Sequence, residues 1–172
     1  MNVLEHLEPK SVFRFFEEMC AIPHGSRNTK AVSDWCADFA RARGLEYHQD
    51  GDNNIIIIKE AAPGYEAAPP VILQGHLDMV CEQTADCQKD MSREGLDLAV
   101  DGDFVYAKGT TLGGDDGIAV AMALALLDAE GLPHPRLEAV FTVDEEIGLL
   151  GAASIDVTPL KGRQMLNLDS GA

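Results

Sequence analysis

Residues 117–131, GIAVAMALALLDAEG, are the stretch that most narrows what this chain can fold into. The run has the length and composition of a helix, yet apolar side chains stand on nearly every side of it. A helix of that kind has little face to offer water and must be buried on most sides by other elements. The sequence supplies strands to enclose it. VILQGHLDMV (71–80), RLEAVFTVDEE (136–146) and RQMLNLDS (163–170) each read as an apolar strand whose far end turns polar. Continuous runs of Val, Ile and Leu are the habit of strands buried on both faces of a helix-covered sheet. The expected fold class is therefore α/β, a mostly parallel mixed sheet sandwiched by helices.

The remaining elements fit around that frame. Ser11 is positioned to cap a helix through SVFRFFEEMCAI, with Val12, Phe15, Phe16, Met19 and Cys20 on one face and Pro23 stopping it. A second helix is expected from about Thr29 to Arg43, with Gly44 to end it. LEYHQ and NIIIIKE flank the turn residues DGDNN as a hairpin, and LAVDGDFVYAKG is another, turning near Asp101 and Gly102. AAPGYEAAPP reads as a loop and IGLLGAAS as a short helix. At 172 residues the chain amounts to about one domain. Its last strand closes almost where the sequence does, without the covering helix that usually follows, so a truncated piece of something longer is expected.

Charge removes some functions from consideration. The chain carries 29 Asp and Glu against 13 Lys and Arg, a formal net charge of −16. Such a surface repels phosphate backbones, so no nucleic-acid partner is expected. Cys20, Cys36, Cys81 and Cys87 show neither CxxC pairing nor zinc-finger spacing and are read as free thiols of a reducing compartment. The N-terminus MNVLEHLEPKS lacks an apolar signal core. No run approaches the ~18–20 apolar residues of a membrane span. A cytoplasmic protein with no membrane partner is expected.

Chemistry concentrates at the strand ends. In open α/β sheets, ligands gather beyond the carboxyl ends of the strands. Four separate segments deliver imidazole or carboxylate there: His76 with Asp78, Asp115 with Asp116, Asp144 with Glu145 and Glu146, and Asp169. Each has a plain explanation alone. An HxD pair can be a strand end with surface charge, paired Asp can cap a helix, and an acidic turn can simply be solvated. Four aligned strand ends are harder to reach by accident. His76 and Asp78, two apart on a strand, leave the same face, and such N and O donors suit Zn²⁺ or Mn²⁺. Glu145 and Glu146, adjacent on extended backbone, are expected to point to opposite sides.

Other chemistries find less support. GTTLGGDDG has no GK[ST], and its two carboxylates would repel phosphate, so the P-loop reading fails. There is no GxSxG elbow, and neither Cys81 nor Cys87 has a convincing paired histidine. His6, His24, His48 and His134 are read as bland loop or surface residues, and Ser26 in PHGSRN as a loop serine near a substrate path.

In order along the chain, GHLDMV, GTTLGGDDGI, TVDEEIGLLGA and LNLDS resemble the aminoacyl-histidine dipeptidases, carnosinase-like members of the dinuclear zinc peptidase family. FFEEMCAIPHGSRNTKAVSDW is similar as well, so the resemblance covers the whole chain. It implies that His76 binds one zinc ion, that Asp115 bridges two, that Glu146 binds the second and that Asp169 completes the first. Glu145 would be the general base and Asp78 the orienter of His76. A cis peptide between Asp115 and Asp116 is implied too. The cofactor would be Zn²⁺, two per active site, with Mn²⁺ or Co²⁺ as alternatives. The substrate would be a small Xaa-His dipeptide such as β-alanyl-histidine.

The family continues past LNLDS with an inserted lid and a last zinc-binding histidine. Residues 1–172 are therefore expected to be the N-terminal part of a metallopeptidase catalytic domain, inactive or impaired, with a sheet edge through which a homodimer can form. A general dinuclear zinc aminopeptidase or N-acyl amino acid deacylase remains open as an alternative. So does a non-catalytic domain that keeps the fold for association.

Overall fold

A computed structural model describes residues 3–169, so the end of the expected last strand, Ser170, lies outside the described residues. In chain order the elements are α1 (Lys10–Cys20), α2 (Lys30–Ala42), β1 (Glu46–Gln49), β2 (Ile55–Lys59), β3 (Val71–His76), β4 (Leu98–Asp101) and β5 (Phe104–Ala107). They continue with α3 (Gly114–Asp128), β6 (Leu137–Thr142), α4 (Leu150–Ser154) and β7 (Gln164–Asn167). The main sheet has the order β1-β2-β6-β3-β7, and β4 pairs with β5 apart from it. β3 runs parallel to both β6 and β7, while β2 runs antiparallel to β1 and β6. Only β2 opposes the common direction. The mostly parallel mixed sheet expected from the Val/Ile/Leu runs is the one observed.

Local chemistry explains the boundaries. Helix α1 starts one residue before the expected Ser11 cap, because Pro9 (φ −73°) occupies the N-cap position without a side-chain bond. Its carbonyl accepts the first helical amides, from Val12 and Phe13. Val12, Phe15, Phe16, Met19 and Cys20 are all buried, as their spacing requires. The β1–β2 turn closes on Asp50, whose Oδ1 accepts the Asp52 and Asn54 amides at 3.0 and 2.9 Å.

Helices α1, α2 and α3 share one face of the sheet, packed on Ile55, Ile57, Leu73, Leu137, Ala139 and Phe141. Phe15 meets Trp35 and Phe39 edge-on at 6.5 and 5.4 Å, joining α1 to α2. Arg43 stacks 3.8 Å over Phe39 and pairs with Asp128 at 2.6 Å, tying α2 to the end of α3. Helix α3 is buried along Ala119, Val120, Ala121, Ala123, Leu124, Ala125 and Leu127. Its enclosure is less complete than its apolar composition predicts, since Met122 and Leu126 reach outward. Val120, Leu124 and Leu127 are buried along with the alanines, and Met122 and Leu126 are left at the rim.

The opposite face has a lighter cover. Ile56, Ile58 and Val140 are overlaid by Ile155 and Leu160, from the segment after α4. That segment is pinned by Glu138, which is fully buried in β6. Glu138 accepts Arg136 Nε at 2.7 Å and the Lys161 and Gly162 amides at 2.9 Å each. Burial alone would raise its pKa, but the hydrogen bonds from Arg136, Gly162 and Lys161 outweigh it and hold the carboxyl below its ordinary 4.5. The folded-state value lies below the unfolded one, so this stabilisation is complete above that pH and is lost as pH falls through the folded value. Glu138→Gln should lower stability by about 3 kcal/mol at neutral pH, since it removes the buried charge facing Arg136. In urea titrations its deficit against wild type should shrink as pH drops below 4.5. A deficit independent of pH would show that the charge contributes nothing.

Candidate metal centre

Because β3, β6 and β7 run the same way, their carboxyl ends meet at one edge of the sheet. His76 is the last residue of β3, Glu145 and Glu146 follow β6, and Asp169 follows β7. Asp115 arrives from another direction, on the non-helical stretch that leads into α3. The span of α3 opens at Gly114 after Gly113 turns left-handed (φ +69°), but Asp115 (ψ 111°) and Asp116 (ψ 25°) keep non-helical backbone, so the regular helix starts near Gly117, as the apolar run implies. The Asp115–Asp116 peptide is cis, as the resemblance implies.

His76 is buried, with its Nδ1 2.9 Å from the Asp78 carbonyl oxygen. A carbonyl can only accept, so Nδ1 carries the proton and Nε2 faces the edge. Nε2 lies 3.3 Å from Asp115 Oδ1 and 3.9 Å from Glu145 Oε2. Two ligand-like groups share this imidazole: His76 with Asp115 and Asp169, and His76 with Glu145 and Glu146. In each group the donor atoms lie within 4.8 Å of one another. All five residues expected to hold metal or act as base are thus brought to one place.

Glu145 and Glu146 arrive there by a different geometry from the extended one predicted. β6 ends at Thr142, and Asp144 takes a left-handed conformation (φ +54°), so the two glutamates sit in a turn and both reach the His76 group. The cause is Asp78. Its Oδ1 accepts the Glu145 amide at 3.0 Å and its Oδ2 the Glu146 amide at 3.4 Å, curling the turn around the carboxylate. Burial alone would raise the Asp78 pKa, but hydrogen bonds from His76, Ser26 and Glu145 hold it below the ordinary value.

The electrostatics fit a cation. Burial pushes the His76 imidazolium down, yet the hydrogen bond and charge of Asp78 and the charge of Asp116 raise its pKa to about 9. Burial, reinforced by Asp169 and Asp115, lifts Asp116 to about 7 against the pull of His76. Glu146 is also raised, by burial and then by Glu145, Asp115 and Asp78, although His76 opposes. Crowded acids that resist ionising together are what a divalent ion relieves, and imidazole with carboxylate oxygens is a donor set suited to zinc. A cleft of about 640 Å³ at the other end of α3, lined by Lys59, Asp128 and His134, contains none of these residues. Concavity alone does not locate the centre.

Sheet, helices and acidic edge together have the form of a peptidase catalytic domain. Residues 72–164 match peptidase family M20/M25/M40, and the chain belongs to that family. It is 36% identical over 170 residues to the cytosol non-specific dipeptidase of Escherichia coli, which covers 99% of this chain and 35% of that protein. The crystal structure of aminoacylhistidine dipeptidase from Vibrio alginolyticus superposes with a TM-score of 0.93 at 37% identity, over 97% of this chain and 34% of that one. A tripeptidase from Staphylococcus aureus shares the fold, with a TM-score of 0.77 at 22% identity over 95% of this chain and 44% of that one. The chain therefore spans about a third of the length of the dipeptidases it matches. Among the described residues, no helix is long and apolar enough to cross a membrane.

Several residues carry no local sequence signal of their role. His24 and His134, read as bland, are buried, His24 against Gly113 beside the centre. Ser26 donates to Asp78 Oδ2 at 2.7 Å. Gly75 has its own reason: a Cβ there would stand 2.8 Å from Asp116 Oδ2 and 3.3 Å from Ala119 Cβ. The signal was the small residue directly before His76, whose purpose shows only once α3 is seen to lie against β3. Gly75→Ala should destabilise the chain by about 1–3 kcal/mol in chemical denaturation, because Asp116 and the first turn of α3 must shift. Wild-type stability in that variant would show that α3 is not seated as described.

Proposed function

We propose that residues 1–172 form the N-terminal part of the catalytic domain of a zinc-dependent dipeptidase acting on Xaa-His dipeptides such as β-alanyl-histidine. The observation that carries this reading is the buried imidazole of His76, shared by two groups of carboxylates at the carboxyl edge of the sheet. The names of two relatives, a non-specific dipeptidase and an aminoacylhistidine dipeptidase, support the substrate class. On this reading His76, Asp115, Asp169 and Glu146 would hold the zinc. Mn²⁺ or Co²⁺ can take the same donors. The enzyme works in the cytoplasm on small peptides.

Zinc bound there supplies Lewis acidity, lowering the pKa of water and polarising the peptide carbonyl. The chain's own groups do the rest. Glu145, reaching the edge with Oε2, takes the proton from the attacking water and returns it to the departing nitrogen. Asp78 holds His76 in one orientation through Nδ1 and holds the Glu145 and Glu146 amides at the same time. Proton acceptor and ligands are therefore fixed by one buried carboxylate.

The word "non-specific" in the name of the Escherichia coli relative favours a second, broader reading, in which dipeptides of many kinds are accepted. Calorimetric titration of the chain with Zn²⁺, repeated on Glu146→Ala, tests the metal reading. The variant should lose about tenfold or more in affinity for one class of sites. An isotherm unchanged by the substitution contradicts the ligand role and favours a non-catalytic domain. A panel of β-alanyl-histidine, other dipeptides, tripeptides and N-acyl amino acids, offered to the whole enzyme of which residues 1–172 form part, then separates the substrate readings. Cleavage confined to longer peptides or acylated amino acids would point to an aminopeptidase or a deacylase.

A further inference from the structure

The segment PHGSRN (23–28) lies outside the residues that match the family, yet it reaches into the acidic edge. We propose that Ser26 is a positioning residue for the Asp144–Glu146 turn, acting through the Asp78 carboxylate, with the Arg27 backbone amide as its second tie. This rests on reading the edge as a metal centre, and it adds a residue from a separate loop to the set that orients the ligands.

The side chain of Asp78 is completely enclosed, so each of its oxygens must be satisfied from within. Oδ1 accepts the Glu145 amide at 3.0 Å and stands 3.5 Å from His76 Nδ1. Oδ2 accepts the Ser26 hydroxyl at 2.7 Å and the Glu146 amide at 3.4 Å. The Glu146 contact is at the outer limit of a hydrogen bond, whereas the Ser26 contact is at the preferred O–H···O length. Ser26 therefore supplies the strong bond that fixes Oδ2. Without it a buried carboxylate oxygen keeps one weak partner and gains by rotating, which slackens its hold on both glutamate amides.

Arg27 acts on the same turn from the other side. Its amide donates to Asp144 Oδ1 at 2.6 Å. Arg27 (φ +65°) and Asp144 (φ +54°) both hold left-handed backbone, which a residue with a side chain keeps where its surroundings over-determine it. The loop that presents these groups is itself anchored. The Met79 amide donates to the His24 carbonyl at 3.2 Å, and Gly25 bridges Met79 in parallel, prolonging the sheet contact past the end of β3. A Cβ on Gly25 would stand 2.5 Å from Cys81 Sγ, so the loop lies close against the Cys81 side chain. Asn28 fastens the far side, its Nδ2 donating to the Ser92 carbonyl at 3.0 Å. The hydroxyl thus comes from a fixed backbone.

The test uses the ¹⁵N-labelled 172-residue chain with two readouts. In metal-free protein, Ser26→Ala should speed amide exchange at Glu145 and Glu146 by about fivefold, the factor for one lost hydrogen bond, while Val140 in β6 exchanges as before. Ser26→Thr should restore the wild-type rates. Ser26→Cys, similar in shape but a weak donor, should behave like the alanine variant and serves if that variant folds poorly. In the second readout, the Co²⁺ absorption spectrum, Ser26→Ala should weaken binding by about tenfold, as loss of an outer partner of a ligand does. Unchanged exchange at Glu145 and Glu146, or an equal acceleration at Val140, overturns the proposal. Faster local exchange in a chain whose wild type takes up no Co²⁺ supports the positioning role and counts against the metal reading.

Discussion

Asp78 is the group on which the acidic edge depends. Its carboxylate is buried, ionised and shared among a hydroxyl from the loop before α2 and two amides from the turn after β6, while its backbone carbonyl orients the imidazole at the end of β3. A buried charge is tolerated only when its lone pairs are filled. That requirement turns around readily: filling them forces three distant segments into one arrangement. The curled turn at Asp144, the orientation of Nε2 and the arrival of both glutamates at one imidazole follow from it.

The sheet delivers these segments to Asp78. Four strands running one way put the ends of β3, β6 and β7 at a common edge, and α3, lying across β3, brings Asp115 to the same point. Gly75 permits that approach by leaving room for Asp116. On the far side, Glu138 holds the segment that leads into β7 and so sets the path on which Asp169 arrives. Two buried carboxylates thus do similar work at different places. One collects the centre, and the other steers a strand toward it.

Much of this was legible in the sequence because its pattern is local. HLD and DEE each follow an apolar run, GGDDG directly precedes one, and runs of Val, Ile and Leu identify the strands whatever their partners. The Gly44 and Gly102 turns were readable for the same reason. What escaped was everything set by long-range contact. Adjacent glutamates look divergent on extended backbone, and only Asp78, some 67 residues earlier in the chain, explains why they converge. Ser26 is 52 residues from its acceptor, and nothing in PHGSRN announces it. The outward Met122 and Leu126 of α3, and the buried charge of Glu138, depend likewise on which neighbour happens to pack there.

Membership in peptidase family M20/M25/M40 and the geometry of the edge converge on an edge shaped to concentrate cations. The most direct test is diffraction at the zinc absorption edge from crystals of the chain grown with zinc. An anomalous peak is expected beside His76 Nε2, in reach of Asp115 and Asp169. Zinc found only elsewhere on the surface, with the His76 edge bare at full occupancy of other sites, would contradict it.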